Sequence, residues 1–305
     1  MDCDLGIIGA GPAGMSAAIY GKRSGLEVVL LDMDLGGGTV TINPVVENYL
    51  GLGNLKGSEM AAKMREHVEQ YVKITTSEFI KELDVTKDQV SIITDKQTIS
   101  AGAVIIATGT EHRRLDVKGE KEFFGRGVSY CATCDGAFFR NKKIAVVGGG
   151  NSAAIEAMYL KGITDDVSLI HRRHILRAES FYANQLKEQG VNLILNSKVK
   201  EIYGDTVVKG LKIKNKEDGT ISELAVDGVF ISIGTTPRSE LAKNVGVKLD
   251  DYGYIIVDNT MKTNIDRVYA AGDVIGGIRQ IVTAVAEGAT AALSSLRVLG
   301  KQYPF

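Results

Sequence analysis

The sequence predicts an α/β fold with two Rossmann-like dinucleotide-binding domains, and three observations carry that prediction. A glycine-rich loop of the GxGxx(G/A) type occurs twice, as Gly9, Gly11 and Gly14 and again as Gly148, Gly150 and Ala153. Each copy follows a short apolar, β-branched run and precedes an amphipathic one, which is the strand–turn–helix context that gives the motif meaning. Each is followed at a similar remove by a buried-looking strand stopped by glycine, at residues 104–109 and 229–234.

Taken in order, residues 4–8 predict the first strand, the loop Gly9-Ala10-Gly11-Pro12-Ala13-Gly14 a tight turn, and the run to about Arg23 a helix. Residues 28–31 return as a second strand ending on Asp32. In such a βαβ unit the first glycine permits the turn and the second lets the backbone approach a pyrophosphate. The third position stays small so that helix and strand pack closely. Phosphate then meets the helix N-terminus, where free N–H groups and the macrodipole favour an anion. Asp32 offers a carboxylate to ribose hydroxyls, as expected for the unphosphorylated adenosine of FAD or NAD. A helical pattern at 60–72 and alternating strands at 79–85 and 90–95 complete the unit, which closes on Ala107, Thr108 and Gly109.

The second unit repeats the plan with a strand at 143–147, the loop Gly148-Gly149-Gly150-Asn151-Ser152-Ala153, a helix through about Leu160 and a strand at 167–170. Residues 197–233 complete it, ending at Ile233 and Gly234. Its second strand ends differently, in His171-Arg172-Arg173 with Arg177 four residues on and no acidic residue. Guanidinium groups match a 2′-phosphate bidentately and a carboxylate repels it, so this position points to NADPH rather than to an ordinary solvated face. Turn signals at 216–219 and 250–253 predict hairpins rather than linkers.

Composition narrows the partners. Thirty-six basic against 37 acidic residues give a net charge of −1, which excludes a basic face by composition and speaks against nucleic acid and acidic membranes. No apolar run reaches roughly 18 residues and the chain opens without a basic n-region, so the expected location is cytoplasmic. Thirty-five glycines against four prolines, without any low-complexity pattern, point to tight turns around ligands.

The three cysteines are too few for a disulfide scaffold or a four-thiolate zinc site, and no metal is expected. Cys131 and Cys134 stand in Ser129-Tyr130-Cys131-Ala132-Thr133-Cys134-Asp135-Gly136. Their spacing brings two thiols within disulfide reach in a turn or first helical turn, a redox couple when one thiolate is stabilised. The competing readings are half a metal knuckle or two core cysteines. Asp135 beside the pair can move protons as the dithiol forms and breaks, and Cys3 reads as a buried or incidental thiol.

With these residues in order, the whole chain resembles the low-molecular-weight thioredoxin reductases of bacteria and archaea. The shared landmarks are the first glycine loop, Val46-Glu47-Asn48-Tyr49, Ala107-Thr108-Gly109, Cys131 through Asp135, and the second glycine loop. His171-Arg172-Arg173 through Arg177-Ala178 and Ala271-Gly272-Asp273-Val274 with Arg279, Gln280 and Ile281 extend the match. The resemblance implies a discontinuous FAD domain (1–114 and 246–305), an inserted NADPH domain (115–245) carrying the redox pair, a homodimer, and Asp273 on the flavin's ribityl chain. It implies electrons passing from NADPH to FAD, to the Cys131–Cys134 disulfide and to a thioredoxin or thioredoxin-like protein. Cys134 would then lie nearest the flavin, Cys131 would attack the partner, Asp135 would be the acid/base, and the domains would swing about linkers near 112–118 and 243–248.

One departure stands out: Gly36-Gly37-Gly38-Thr39 replaces the family's Gly-Gly-Gln-Leu, removing an amide expected near the flavin ring. Other readings of the same core are ferredoxin or deazaflavin as electron donor, the flavoprotein reductase of a peroxide-removing system, and a nucleotide-binding redox sensor. Retention of the arginines favours NADPH. The cysteine pair excludes the related NADP reductase for ferredoxin.

Overall fold

The computed structural model describes residues 1–43, 46 and 48–302, so Glu47 of the motif above lies outside the described residues. Two compact units emerge, residues 1–111 with the described residues from 236 onward, and residues 112–235.

The first unit opens with β1 (Cys3–Ile8), α1 (Pro12–Arg23) and β2 (Val28–Leu31). It continues through α2 (Gly57–Glu69), β3 (Ile74–Thr75), β4 (Ile80–Val85), β5 (Val90–Thr94) and β6 (Thr98–Ile106), and β7 (Thr110–His112) leads out. The order β3-β2-β1-β6 is parallel, and its strands are apolar because helices and sheet cover both faces. Helix α2 begins earlier than the 60–72 pattern suggests. The apolar stripe of Val68 and Val72 runs past the helix end into β3, so the periodicity alone slid the reading forward.

In the second unit, β8 (Val128–Ser129) precedes the short α3 (Ala132–Asp135), and then come β9 (Ile144–Gly148), α4 (Asn151–Lys161), β10 (Val167–Ile170), α5 (Ser180–Glu188) and β11 (Asn192–Ile194). An antiparallel sheet of β12 (Ser197–Gly204), β13 (Val208–Asn215) and β14 (Ile221–Ala225) intervenes before β15 (Gly228–Ser232). The parallel order is β11-β10-β9-β15-β8. Ala153, Ala154, Ala157 and Leu160 of α4 pack on one face of it, and Val199, Ile202, Leu211 and Ile213 of the antiparallel sheet on the other. The 216–219 signal is the turn between β13 and β14.

The chain leaves through β16 (Thr235–Pro237) and adds α6 (Glu240–Asn244), β17 (Val268–Ala270) and α7 (Ile281–Ser295) to the first unit. The change-over falls at 235/236 rather than 245/246, because Ala242 of α6 is already packed in the core formed by Ile8, Val104 and Ile106. The 250–253 signal makes a tight turn closing only an isolated bridge between Leu249 and Ile255, with Asp250 Oδ1 accepting the N–H groups of Tyr252 and Tyr254. Strand β17 pairs with the C-terminal half of β6, and α7 packs on α1 so closely that a Cβ on Gly288 would lie 2.0 Å from the Ala13 carbonyl oxygen. Among the described residues no helix is long and apolar enough to cross a membrane.

Candidate active site

The residues expected at the first nucleotide converge at the carboxyl ends of β1, β2, β6 and β17, where open α/β sheets place ligands. The three loop glycines have separate jobs. Gly9, at φ +101°, is pressed against β6, since a Cβ there would lie 2.4 Å from the Ala107 carbonyl oxygen. A Cβ on Gly14 would lie 1.8 Å from the Gly9 oxygen, so only glycine lets α1 sit against the loop. At Gly11 a Cβ would meet nothing within 4 Å, leaving open space before the start of α1.

Asp32 is held beside this opening, its Oδ2 accepting Ala10 N–H at 2.6 Å and its Oδ1 accepting Asp34 N–H at 2.7 Å. Gly37 donates its N–H to the Ala10 carbonyl at 2.7 Å, and a Cβ on Gly38 would be 3.2 Å from the Gly11 Cα, so the Gly36-Gly37-Gly38-Thr39 segment borders the same opening. Gly272 abuts Ala13. Asp273 accepts from Thr110 at 3.4 Å, and Asn48 donates to Gln280 at 3.1 Å, just before Ile281 at the start of α7. Thr108 donates to the Arg238 carbonyl at 2.6 Å on the short stretch with Ala107 and Gly109. Arg279 donates to the Tyr254 hydroxyl at 3.0 Å.

Burial raises the Asp273 carboxyl above its ordinary range, against the pull of Arg279 and Thr110. Sequence reasoning missed Glu287 on α7, which accepts the Gly272 N–H at 2.9 Å and is likewise raised, by burial first and by Asp273 further. Its signal was available: it is the one charged side chain in the apolar, small-residue run of α7.

The second loop repeats the geometry. A Cβ on Gly148 would lie 2.3 Å from the Ser232 carbonyl oxygen and 2.6 Å from Ala153 Cβ, whereas one on Gly150 would enter open space. The arginine segment is fastened to this loop, because the Gly149 carbonyl accepts the N–H groups of Arg177 at 2.6 Å and Ala178 at 3.0 Å. Asn151 exchanges two hydrogen bonds with Glu179, and Ser152 follows it on the first turn of α4. Arg172, Arg173 and Arg177 are exposed, and among the described residues no carboxylate pairs with them. His171 lies apart from that exposed set: its ring is buried against Gly149, where a Cβ would come within 2.0 Å of Nδ1. Desolvation, joined by the three arginines, pushes its proton affinity below that of an ordinary histidine despite a bond to the Gly148 backbone. Ile233 joins the core beneath β15, and the Gly234 carbonyl accepts Arg113 N–H at 3.0 Å.

In the same unit Cys131 and Cys134 form a disulfide with Cα atoms 5.3 Å apart. Cys131 caps α3, and its sulfur accepts the Cys134 N–H at 3.2 Å. Asp135 is buried, with Oδ2 accepting from Ser129. The neighbouring Tyr130 donates to buried Glu120 at 2.7 Å, whose two oxygens also accept the N–H groups of Leu115 and Asp116. Cys3 is a buried free thiol pushed up to about 11, chiefly by burial. Among the described residues no cluster of His, Cys, Asp and Glu is placed to hold a metal.

A family model described as pyridine nucleotide-disulphide oxidoreductase matches residues 3–288. A thioredoxin reductase of Listeria monocytogenes is 43% identical over 291 residues, 94% of this chain and 91% of the relative. The chain belongs to this family, among the low-molecular-weight thioredoxin reductases. The crystal structure of the thioredoxin reductase from Streptococcus pyogenes matches with a TM-score of 0.93 at 39% identity, covering 98% of both chains. That from T. acidophilum is 42% identical over 97% of this chain and 98% of its own, with a TM-score of 0.67. Reductases of this type use FAD and NADPH, and the chain is an FAD-dependent oxidoreductase. The protein's own geometry fits two such groups: Gly11 and Gly150 each leave space at a helix N-terminus that a Cβ would fill.

Proposed function

We propose that this chain is an NADPH-dependent thioredoxin reductase that returns a thioredoxin or thioredoxin-like protein to its dithiol form through Cys131 and Cys134. The carrying observation is the Cys131–Cys134 disulfide capping a helical turn whose last residue is buried Asp135. FAD, when bound, supplies the two-electron relay between the nicotinamide and the disulfide.

Gly9, Gly11, Gly14 and Asp32 would hold the FAD pyrophosphate and ribose, with Asp273 and the Gln280–Asn48 pair toward the rest of the cofactor. Gly148, Gly150 and the first turn of α4 would hold the NADPH pyrophosphate. Arg172, Arg173 and Arg177 would take its 2′-phosphate, and His171 would stay neutral beneath Gly149 and support the loop. The hydrogen bond from Cys134 N–H to the Cys131 sulfur favours a thiolate there, which suits Cys131 to attack the partner's disulfide. Asp135 moves protons to and from the sulfurs. The reading includes a cytoplasmic homodimer without nucleic-acid or membrane partners; a net charge of −1 supports the last two, and the homodimer and location follow the likeness to the thioredoxin reductases.

Anaerobic titration of the flavoprotein with NADPH and NADH, read by flavin absorbance, tests the donor; a flavin that neither nicotinamide reduces overturns that assignment. Cys131→Ser leaves a thiolate at Cys134 and should show a long-wavelength absorption band that Cys134→Ser lacks, while both abolish thioredoxin turnover. A band in the opposite variant reverses the two roles.

A further inference from the structure

The side chain of Ser129 lies between the redox pair and the acid/base residue without belonging to either. It is 3% exposed, at the end of β8, and Asp135 below it is 8% exposed. Ser129 Oγ is 2.5 Å from Asp135 Oδ2, and the Cys131 N–H donates to the same oxygen at 3.0 Å. The hydroxyl has one proton to give, and its other acceptor, the Cys131 carbonyl, is 3.4 Å away. A separation of about 2.5–2.7 Å is that of a charge-assisted O–H···O⁻ bond, so the proton points to the carboxylate.

We propose that Ser129 is a positioning residue for the exchange chemistry: it fixes the Asp135 carboxylate against the Cys131 backbone and favours its ionised form. This rests on the thioredoxin reductase reading. In that exchange the Cys131 thiolate attacks one sulfur of the partner's disulfide, forming a bond between the chains as the partner's S–S bond breaks, and the released sulfur takes a proton. The Cys134 thiolate then attacks the Cys131 sulfur, restoring the internal disulfide and releasing the partner's second sulfur, which takes the second proton. Two electrons and two protons leave the dithiol, and Asp135 must be a base when a thiol is deprotonated and an acid when a thiolate departs. A donor that stabilises the carboxylate keeps the base available at lower pH, and the same hydroxyl ties that base to the nucleophile's own backbone.

Cys131 and Cys134 share the turn of Asp135, and α4, the helix packed against α3, carries Glu156, whose Oε2 is buried, and Tyr159, whose ring lies beside Gly136. Removing the hydroxyl costs the ionised carboxylate more than the neutral acid, because the charge-assisted hydrogen bond is the stronger of the two, so Asp135 titrates higher. The acidic limb of the exchange rate should move up by about one to two pH units.

The test uses anaerobic holoenzyme reduced with dithiothreitol and mixed in single turnover with either oxidised thioredoxin or 5,5′-dithiobis(2-nitrobenzoate). The aromatic thiolate leaves without needing a proton, whereas the thioredoxin cysteine needs one. In Ser129→Ala the Asp135 carboxyl is no longer held against the Cys131 backbone, so proton delivery to the leaving thioredoxin cysteine is misplaced: the ratio of the thioredoxin rate to the aromatic-disulfide rate at neutral pH should fall about tenfold, while the acidic limb of both rates shifts. Ser129→Thr, which keeps the hydroxyl, should restore both. Loss of packing alone slows both disulfides alike and leaves ratio and limb where they were, and that result overturns the proposal. Asp135→Asn separates the two layers of the argument. If it leaves the ratio unchanged, the acid/base reading itself is wrong; if it collapses the ratio while Ser129→Ala does not, only the role of Ser129 fails.

Discussion

Gly11→Ala and Gly14→Ala are the same chemical change three residues apart, and the structure assigns them opposite consequences. A methyl on Gly14 would sit 1.8 Å from the Gly9 carbonyl oxygen, whereas carbon and oxygen ordinarily approach to about 3.3 Å, so α1 must retreat by about 1.5 Å. Its other side is not free to give, because Gly288 of α7 already lies against Ala13. Overpacking against backbone on both sides should cost about 3 kcal/mol, which lowers the melting temperature of a domain of this size by roughly 6–12 °C with or without cofactor. Gly11 has φ −78° and ψ −175°, which any residue adopts, and open space at the Cβ position. Gly11→Ala should therefore leave the apoprotein within about 0.5 kcal/mol of the parent. Its methyl enters the space proposed for the pyrophosphate, and on that proposal losing one or two charge-assisted hydrogen bonds should weaken FAD about 100-fold. Thermal melts of apoprotein with and without added FAD, together with quenching of FAD fluorescence, read both effects. A Gly11→Ala protein that binds FAD like the parent, or a Gly14→Ala protein that melts like it, refutes this division of labour.

The arginines offer a second test. Arg172→Ala, Arg173→Ala and Arg177→Ala should each raise KM for NADPH by roughly 10- to 150-fold, the worth of one charge-assisted hydrogen bond, with weak NADH activity nearly unchanged. A triple alanine variant that keeps the parent's preference ratio in steady-state kinetics would show them to be ordinary surface charges. Asp273 gives a pH test. Burial raises its folded value above the unfolded value of about 3.9, so its contribution to apoprotein stability is present at low pH and lost as pH climbs through the raised value. Asp273→Asn lacks that loss and also relieves Glu287, so its melting temperature relative to the parent should rise between pH 4 and pH 7, by about the span the titration covers. Parallel curves for the two apoproteins across that range rule out a buried, raised carboxyl.

The two glycine loops, the strands that frame them, the contrast between Asp32 and the arginine cluster, and the cysteine pair were legible because each is a local matter. A turn that only glycine tolerates, an apolar run of strand length and a residue at a strand end are properties of a few consecutive positions. Helix α7 is different: its run is apolar, yet only the facing surface of α1 explains why Gly288 is required. Asn48 meets Gln280 across 232 residues of sequence, Glu287 reaches back to the Gly272 N–H, and His171 turns inward beneath Gly149. No spacing rule announces such contacts, since closing a long loop depends on the packing of everything between its ends. Ser129 is the intermediate case, six residues from Asp135 and plainly in the motif, yet its task depends on the bend from β8 into α3 that sets its hydroxyl between carboxylate and backbone. The sequence by itself thus determined which chemistry the chain carries and where along it. Tertiary structure decided which groups hold that chemistry in place, because hydrogen bonds and burial act over ångströms in space and are indifferent to distance along the chain.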